Sequence, residues 1–175
     1  MSNWEGVSAS TAMLFSSLLD IEEVYSPNGN PVEAFGSVSK VHERAKQISI
    51  QAARFFNADF GIKAHEALSL KSEIKSLLEA YRGWAERRND LAHGYVTQAQ
   101  GPDYANEEQP TITTYSLCPS HARLPRWRNS EPEYNYVASE IADFASAFRS
   151  LDERIEETAA RVRDLFSGRP KPGAR

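Results

Sequence analysis

Apolar residues recur at helical spacing along most of the chain, and four stretches read as amphipathic helices. Leu14, Leu18, Ile21 and Tyr25 mark a first helix over about 7–24, ended by the turn signal Ser26-Pro27-Asn28-Gly29. Asn30-Pro31-Val32-Glu33 has the form of a helix start, with an N-cap, a proline in the first turn and a glutamate placed to reach back. Val38, Val41, Ala45, Ile48, Ala52 and Phe55 carry that second helix to about Phe56. A third, roughly 69–93, has a seam of Leu70, Ile74, Leu77, Tyr81, Trp84, Arg88, Leu91 and Tyr95. Lys71, Lys75, Glu79, Arg82 and Glu86 form its solvated side, and Gly94 stands where a C-terminal stop is expected.

The period changes after the third helix. Gly101, Pro102, Asn106 and Pro110 preclude a helix, whereas Thr111–Leu117 is β-branched and aromatic and reads as a strand paired with Tyr134-Asn135-Tyr136. A last helix runs from Ser139 to about Phe166, its seam built from Ile141, Phe144, Phe148, Leu151, Ile155, Val162 and Leu165. The pattern predicts an all-α fold: a single four-helix domain over 1–167, with a small antiparallel β-hairpin inserted at about 97–138 before the last helix. A basic tail, 168–175, is expected to be disordered.

Composition narrows the function classes. The chain has 175 residues and a net charge of −4, so attraction to nucleic acid would need a local basic patch. Cys118 is the only cysteine, which excludes an internal disulfide or a cysteine metal cage. No stretch approaches the roughly twenty apolar residues of a membrane span, and the N-terminus lacks a leader pattern, so a cytoplasmic setting is expected. No glycine-rich phosphate loop, dinucleotide fingerprint or spaced metal-ligand set is present, and no cofactor is expected.

One residue breaks the third seam. Arg88 takes a position where leucine is expected, and burying a guanidinium there unpaired would cost several kcal/mol. The spacing therefore predicts that the seam opens at Arg88 onto a cleft, an acidic partner or an anion. Arginine offers a planar fork matched to phosphate oxygens, and His93 exchanges protons near neutral pH. The two lie about 140° apart around a helix, which a two-fold dimer packed on this face would reconcile. Asn89 is placed to orient His93, and Asp90 and Glu86 are nearby carboxylates. A plainer reading also stands: basic residues in a last helical turn complement its dipole and cap its carbonyls.

Arg88-Asn89 followed by His93 and Tyr95 resembles the Arg-x4-6-His motif of the HEPN superfamily. The longer Arg-x4-His-x-Tyr form is similar to that of HEPN toxins paired with a nucleotidyltransferase antitoxin. The resemblance implies a HEPN-like bundle acting as a homodimeric, metal-independent endoribonuclease in toxin–antitoxin or defence biology, with Arg88, Asn89 and His93 catalytic. It further implies that Tyr95 contacts substrate or accepts an inhibitory nucleotidyl group from such an antitoxin. Asp90 and Arg87 would support substrate binding. The alternative is a non-catalytic HEPN-like dimerisation module or one that binds protein or RNA. The segment holding Arg123, Arg126, Trp127 and Arg128 offers phosphate pairing and base stacking to RNA, although a tryptophan in a loop equally anchors it to the bundle.

Overall fold

A computed structural model describes residues 2–19, 30–57, 64–102, 111–119 and 134–167. In chain order these form α1 (Ser2–Ser17), α2 (Pro31–Ser37), α3 (Val41–Asn57), α4 (Ala64–His93), β1 (Tyr95–Pro102), β2 (Thr111–Cys118) and α5 (Ala138–Ser167). The chain is mostly helical, with a two-stranded antiparallel hairpin before the last helix. Among the described residues no helix is long and apolar enough to cross a membrane.

The expected second helix is two. Asn30 caps α2 by accepting from the Val32 N–H at 2.9 Å. At Val38 the backbone turns extended (φ −73°, ψ 114°), and the Val38 N–H bonds back to the Phe35 carbonyl. Gly36 and Ser37 are weak helix formers, and Arg44 fixes the break. Its guanidinium donates to the carbonyls of Val38 (2.6 Å) and Gly36 (3.1 Å) and to the Ser8 hydroxyl (2.6 Å). Carbonyls left without a helical partner are thereby satisfied. The first helix also starts and ends earlier than the spacing predicts, at Ser2 and Ser17, with Leu18 and Leu19 buried beyond its end; Ile21 and Tyr25 lie outside the described residues.

The chain divides into two compact units, Met1–Trp84 with Ala147–Arg175, and Ala85–Ser146. In the first, Val7, Leu14, Leu18, Phe35, Ile48, Leu70, Ile74, Leu77, Tyr81, Ile155 and Val162 are almost wholly buried. Each large aliphatic side chain among them contributes about 1.5–3 kcal/mol. Trp4 stacks on Tyr81 at 5.5 Å and meets Phe148 edge-on at 5.3 Å. Polar side chains tie α4 to α5: Thr158 donates to Glu73 at 2.9 Å, and Arg161 pairs with the same carboxylate.

The second unit holds the end of α4, the hairpin and the start of α5. The partner of β2 is β1, in register from Tyr95↔Cys118 to Pro102↔Thr111, rather than Tyr134-Asn135-Tyr136. Tyr136 supplies only an isolated bridge to Leu117, exchanging both backbone bonds at 2.8 Å. Tyr95, Val96 and Thr97 are strand formers, but Gln98-Ala99-Gln100-Gly101 is not, so propensity marks only the start of β1. Pairing follows instead from β1 leaving the helix at Gly94 beside β2.

Candidate functional site

The last turns of α4 place the motif. Between Ala85 and His93, Ala85 and Asp90 are buried, Leu91 is half-buried, and Arg88, Asn89, Ala92 and His93 are exposed. The buried stripe of α4 therefore leaves the line of the expected seam after Tyr81. Trp84 is half-buried, and the next seam position, Arg88, projects to solvent while Asp90 turns inward. No burial cost arises at Arg88, because its guanidinium lies on the surface and donates to the Asn89 Oδ1 at 3.2 Å.

The buried charge is elsewhere. Asp90 is 2% exposed. Its Oδ2 accepts from Tyr136 Oη at 2.7 Å and from Arg87 at 3.1 Å, while Arg87 also donates to Tyr136 Oη at 2.5 Å. The Arg87 guanidinium lies 5.8 Å from the Tyr136 ring centre, and Phe144 meets that ring edge-on at 5.0 Å. Burial, then the bond to Asp90, pushes the Tyr136 hydroxyl above the usual tyrosine range against the opposing pull of Arg87. Burial lowers the Arg87 pKa, but its bonds to Asp90 and Tyr136 outweigh this and hold it above the ordinary value. The carboxylate at position 90 thus pairs with Arg87, not with Arg88.

Gly94 completes the clamp. It follows the helix as expected, yet its φ lies outside the left-handed region. Closeness is what requires glycine here: a Cβ would fall 2.6 Å from the Asp90 carbonyl oxygen and 2.9 Å from Leu117. The end of α4, the end of β2 and the Tyr136 bridge meet around this residue. Tyr95 next to it is half-buried, with its hydroxyl oxygen shielded from solvent.

The structure thus leaves Arg88, Asn89 and His93 exposed at the helix end, and joins half-buried Arg87 to buried Asp90 and Tyr136. Arg123, Arg126, Trp127 and Arg128 lie outside the described residues, as does the tail 168–175. Sequence reasoning missed Tyr136 as the partner of Asp90. Only the Arg87–Asp90 spacing, three apart on a helix, signalled part of the cluster. Among the described residues no group of His, Cys, Asp and Glu is arranged to hold a metal ion. Compared with known proteins, the chain matches no family model, no curated protein and no solved structure.

Proposed function

We propose that this chain is a metal-independent endoribonuclease of the HEPN type, a four-helix-bundle relative whose exposed α4 end forms a shared cleft in a homodimer. One observation carries the reading: Arg88, Asn89 and His93 are all exposed in the last turns of a helix whose Asp90 is tied down by a buried hydrogen bond from Tyr136. Arg88 would stabilise the charge growing on the scissile phosphate. His93 would take the proton from a ribose 2′-hydroxyl, whose oxygen attacks phosphorus, and the leaving 5′-oxygen would receive a proton from the partner's imidazole or from water. The products are a 2′,3′-cyclic phosphate and a 5′-hydroxyl, and DNA would be inert. Asn89, bonded to Arg88, orients the guanidinium. The setting we infer is cytoplasmic, in toxin–antitoxin or defence biology. A nucleotidyltransferase partner acting on Tyr95 would need the start of β1 to open and free the hydroxyl.

The test is cleavage of RNA by the purified protein in chelator, comparing wild type with Arg88→Ala and His93→Ala. Loss of cleavage in both variants, with the fold intact, is expected. Equal activity in all three overturns the assignment. A second reading, a non-catalytic binding module, draws on the bond between Arg88 and Asn89, which occupies the guanidinium without substrate. It expects RNA or protein binding with no product from any of the three proteins.

A further inference from the structure

The hairpin offers a contact that the α4 surface does not. None of the residues of β1 or β2 is charged, in a chain where a quarter of all residues are. Strand edges open to solvent are ordinarily protected by charge, proline or a bulge. Here proline stands only at the end of β1, at Pro102. A two-stranded hairpin by itself is marginally stable in water.

The hydrogen-bond phase shows which backbone groups face outward. Leu117 exchanges both of its backbone bonds with Tyr136, so its N–H and C=O point away from β1. Val96↔Leu117 is then a non-hydrogen-bonded pair, and by alternation Thr97↔Ser116 is a hydrogen-bonded one. The backbone groups of Val96, Gln98 and Gln100 consequently point to the outer edge of β1, where no described strand pairs with them. The outer edge of β2 is interrupted at Leu117 by Tyr136. Val96 is 68% exposed, and Gln98 and Gln100 are exposed too.

We propose that the outer edge of β1 pairs antiparallel with β1 of a second copy, about a two-fold axis at Gln98, to make a four-stranded sheet. In that register Gln98 exchanges bonds with its copy, and Val96 exchanges bonds with the copy's Gln100. All three outward positions are satisfied in phase. Symmetric pairing sets each strand against itself, and an uncharged strand meets no like charge in doing so. A second copy is therefore the occupant that this edge fits. The contact is argued from the hairpin's free backbone edge and does not rest on the nuclease reading.

The full chain tests this by sedimentation equilibrium with Gln98→Pro and Gln98→Lys. The Gln98 N–H is not spent on β2, so proline there removes an outward donor and leaves the β1–β2 ladder in place. Both variants are expected to sediment at half the wild-type mass with an unchanged far-UV circular dichroism spectrum. Amide exchange at Val96, Gln98 and Gln100 in the wild type keeps the proposal falsifiable should the variants not fold. Slowing by about tenfold or more, lost on dilution, is expected. A monomeric wild type, variants of wild-type mass, or fast exchange at all three amides overturns it; a monomer that captures a foreign strand does so as well.

Discussion

Asp90 and Arg88 sit two residues apart on one helix and do opposite things. An inward carboxylate is tolerated because Tyr136 and Arg87 satisfy one of its oxygens, and removing a donor from a charged group costs about 1.5–3 kcal/mol. Tyr136→Phe keeps the ring against Phe144 and deletes the hydroxyl, so a loss of that order is expected by denaturant unfolding at pH 7. The pH dependence has a definite sign. Because the folded-state pKa of Tyr136 is raised, its contribution is whole below the unfolded tyrosine value of about 10 and fades as pH rises beyond it. Wild type should therefore lose stability above about pH 10 more steeply than Tyr136→Phe, and parallel curves would discard the bond as a source of stability. Arg88→Ala and His93→Ala, on exposed positions, should change stability by no more than about 0.5 kcal/mol. The motif residues were legible because their types and spacing are local. Tyr136 was not, since no periodicity links a residue beyond the hairpin to a carboxylate inside a helix.

At the scale of elements, structure is legible in the sequence where a long apolar stripe decides the outcome and hidden where a few local bonds do. Helix α5, the strand β2 and α4 as far as Tyr81 follow their apolar patterns. The break between α2 and α3 depends on Arg44 reaching three acceptors, including Ser8 on another helix. Apolar spacing runs through that break unaltered and conceals it. The seam of α4 fails beyond Tyr81 because the face buried in the last turns is that of Asp90, which apolar spacing cannot mark as an inward position. The junction from α4 to β1 is tight at Gly94, where a Cβ meets backbone as well as a side chain. Gly94→Ala should therefore destabilise by about 1–3 kcal/mol through overpacking. It should also shift the amide resonances of Leu117 and Tyr136. Unchanged stability would mean that the helix end has room to yield. Gly83, with nothing near its Cβ position, is the matched control, and Gly83→Ala should stabilise the exposed helix by up to about 1 kcal/mol.

For the whole molecule, the balance of charge sets how RNA would be held. A net charge of −4 gives no long-range attraction to a polyanion, so on the proposed reading affinity would come from a few local contacts, those at the end of α4 among them. Arg87 shares its charge with Asp90, which leaves Arg88 as the better phosphate partner of the two. For single strands each neutralised phosphate steepens the dependence of log K on log salt by about 0.7. A site using Arg88 and its immediate neighbours should then give a shallow slope, about −1 to −2 for each cleft half, far from the steep dependence of basic RNA-binding proteins. Arg88→Ala should reduce the slope by about 0.7 for each cleft half and weaken binding to all sequences alike, as measured by fluorescence anisotropy of a labelled oligonucleotide across a salt series. Arg82→Ala, exposed further back on α4, should leave the slope as it is. Equal losses from Arg82 and Arg88 would point to a diffuse basic surface, and the exposed Arg88–Asn89–His93 group would then have no special claim to be the site.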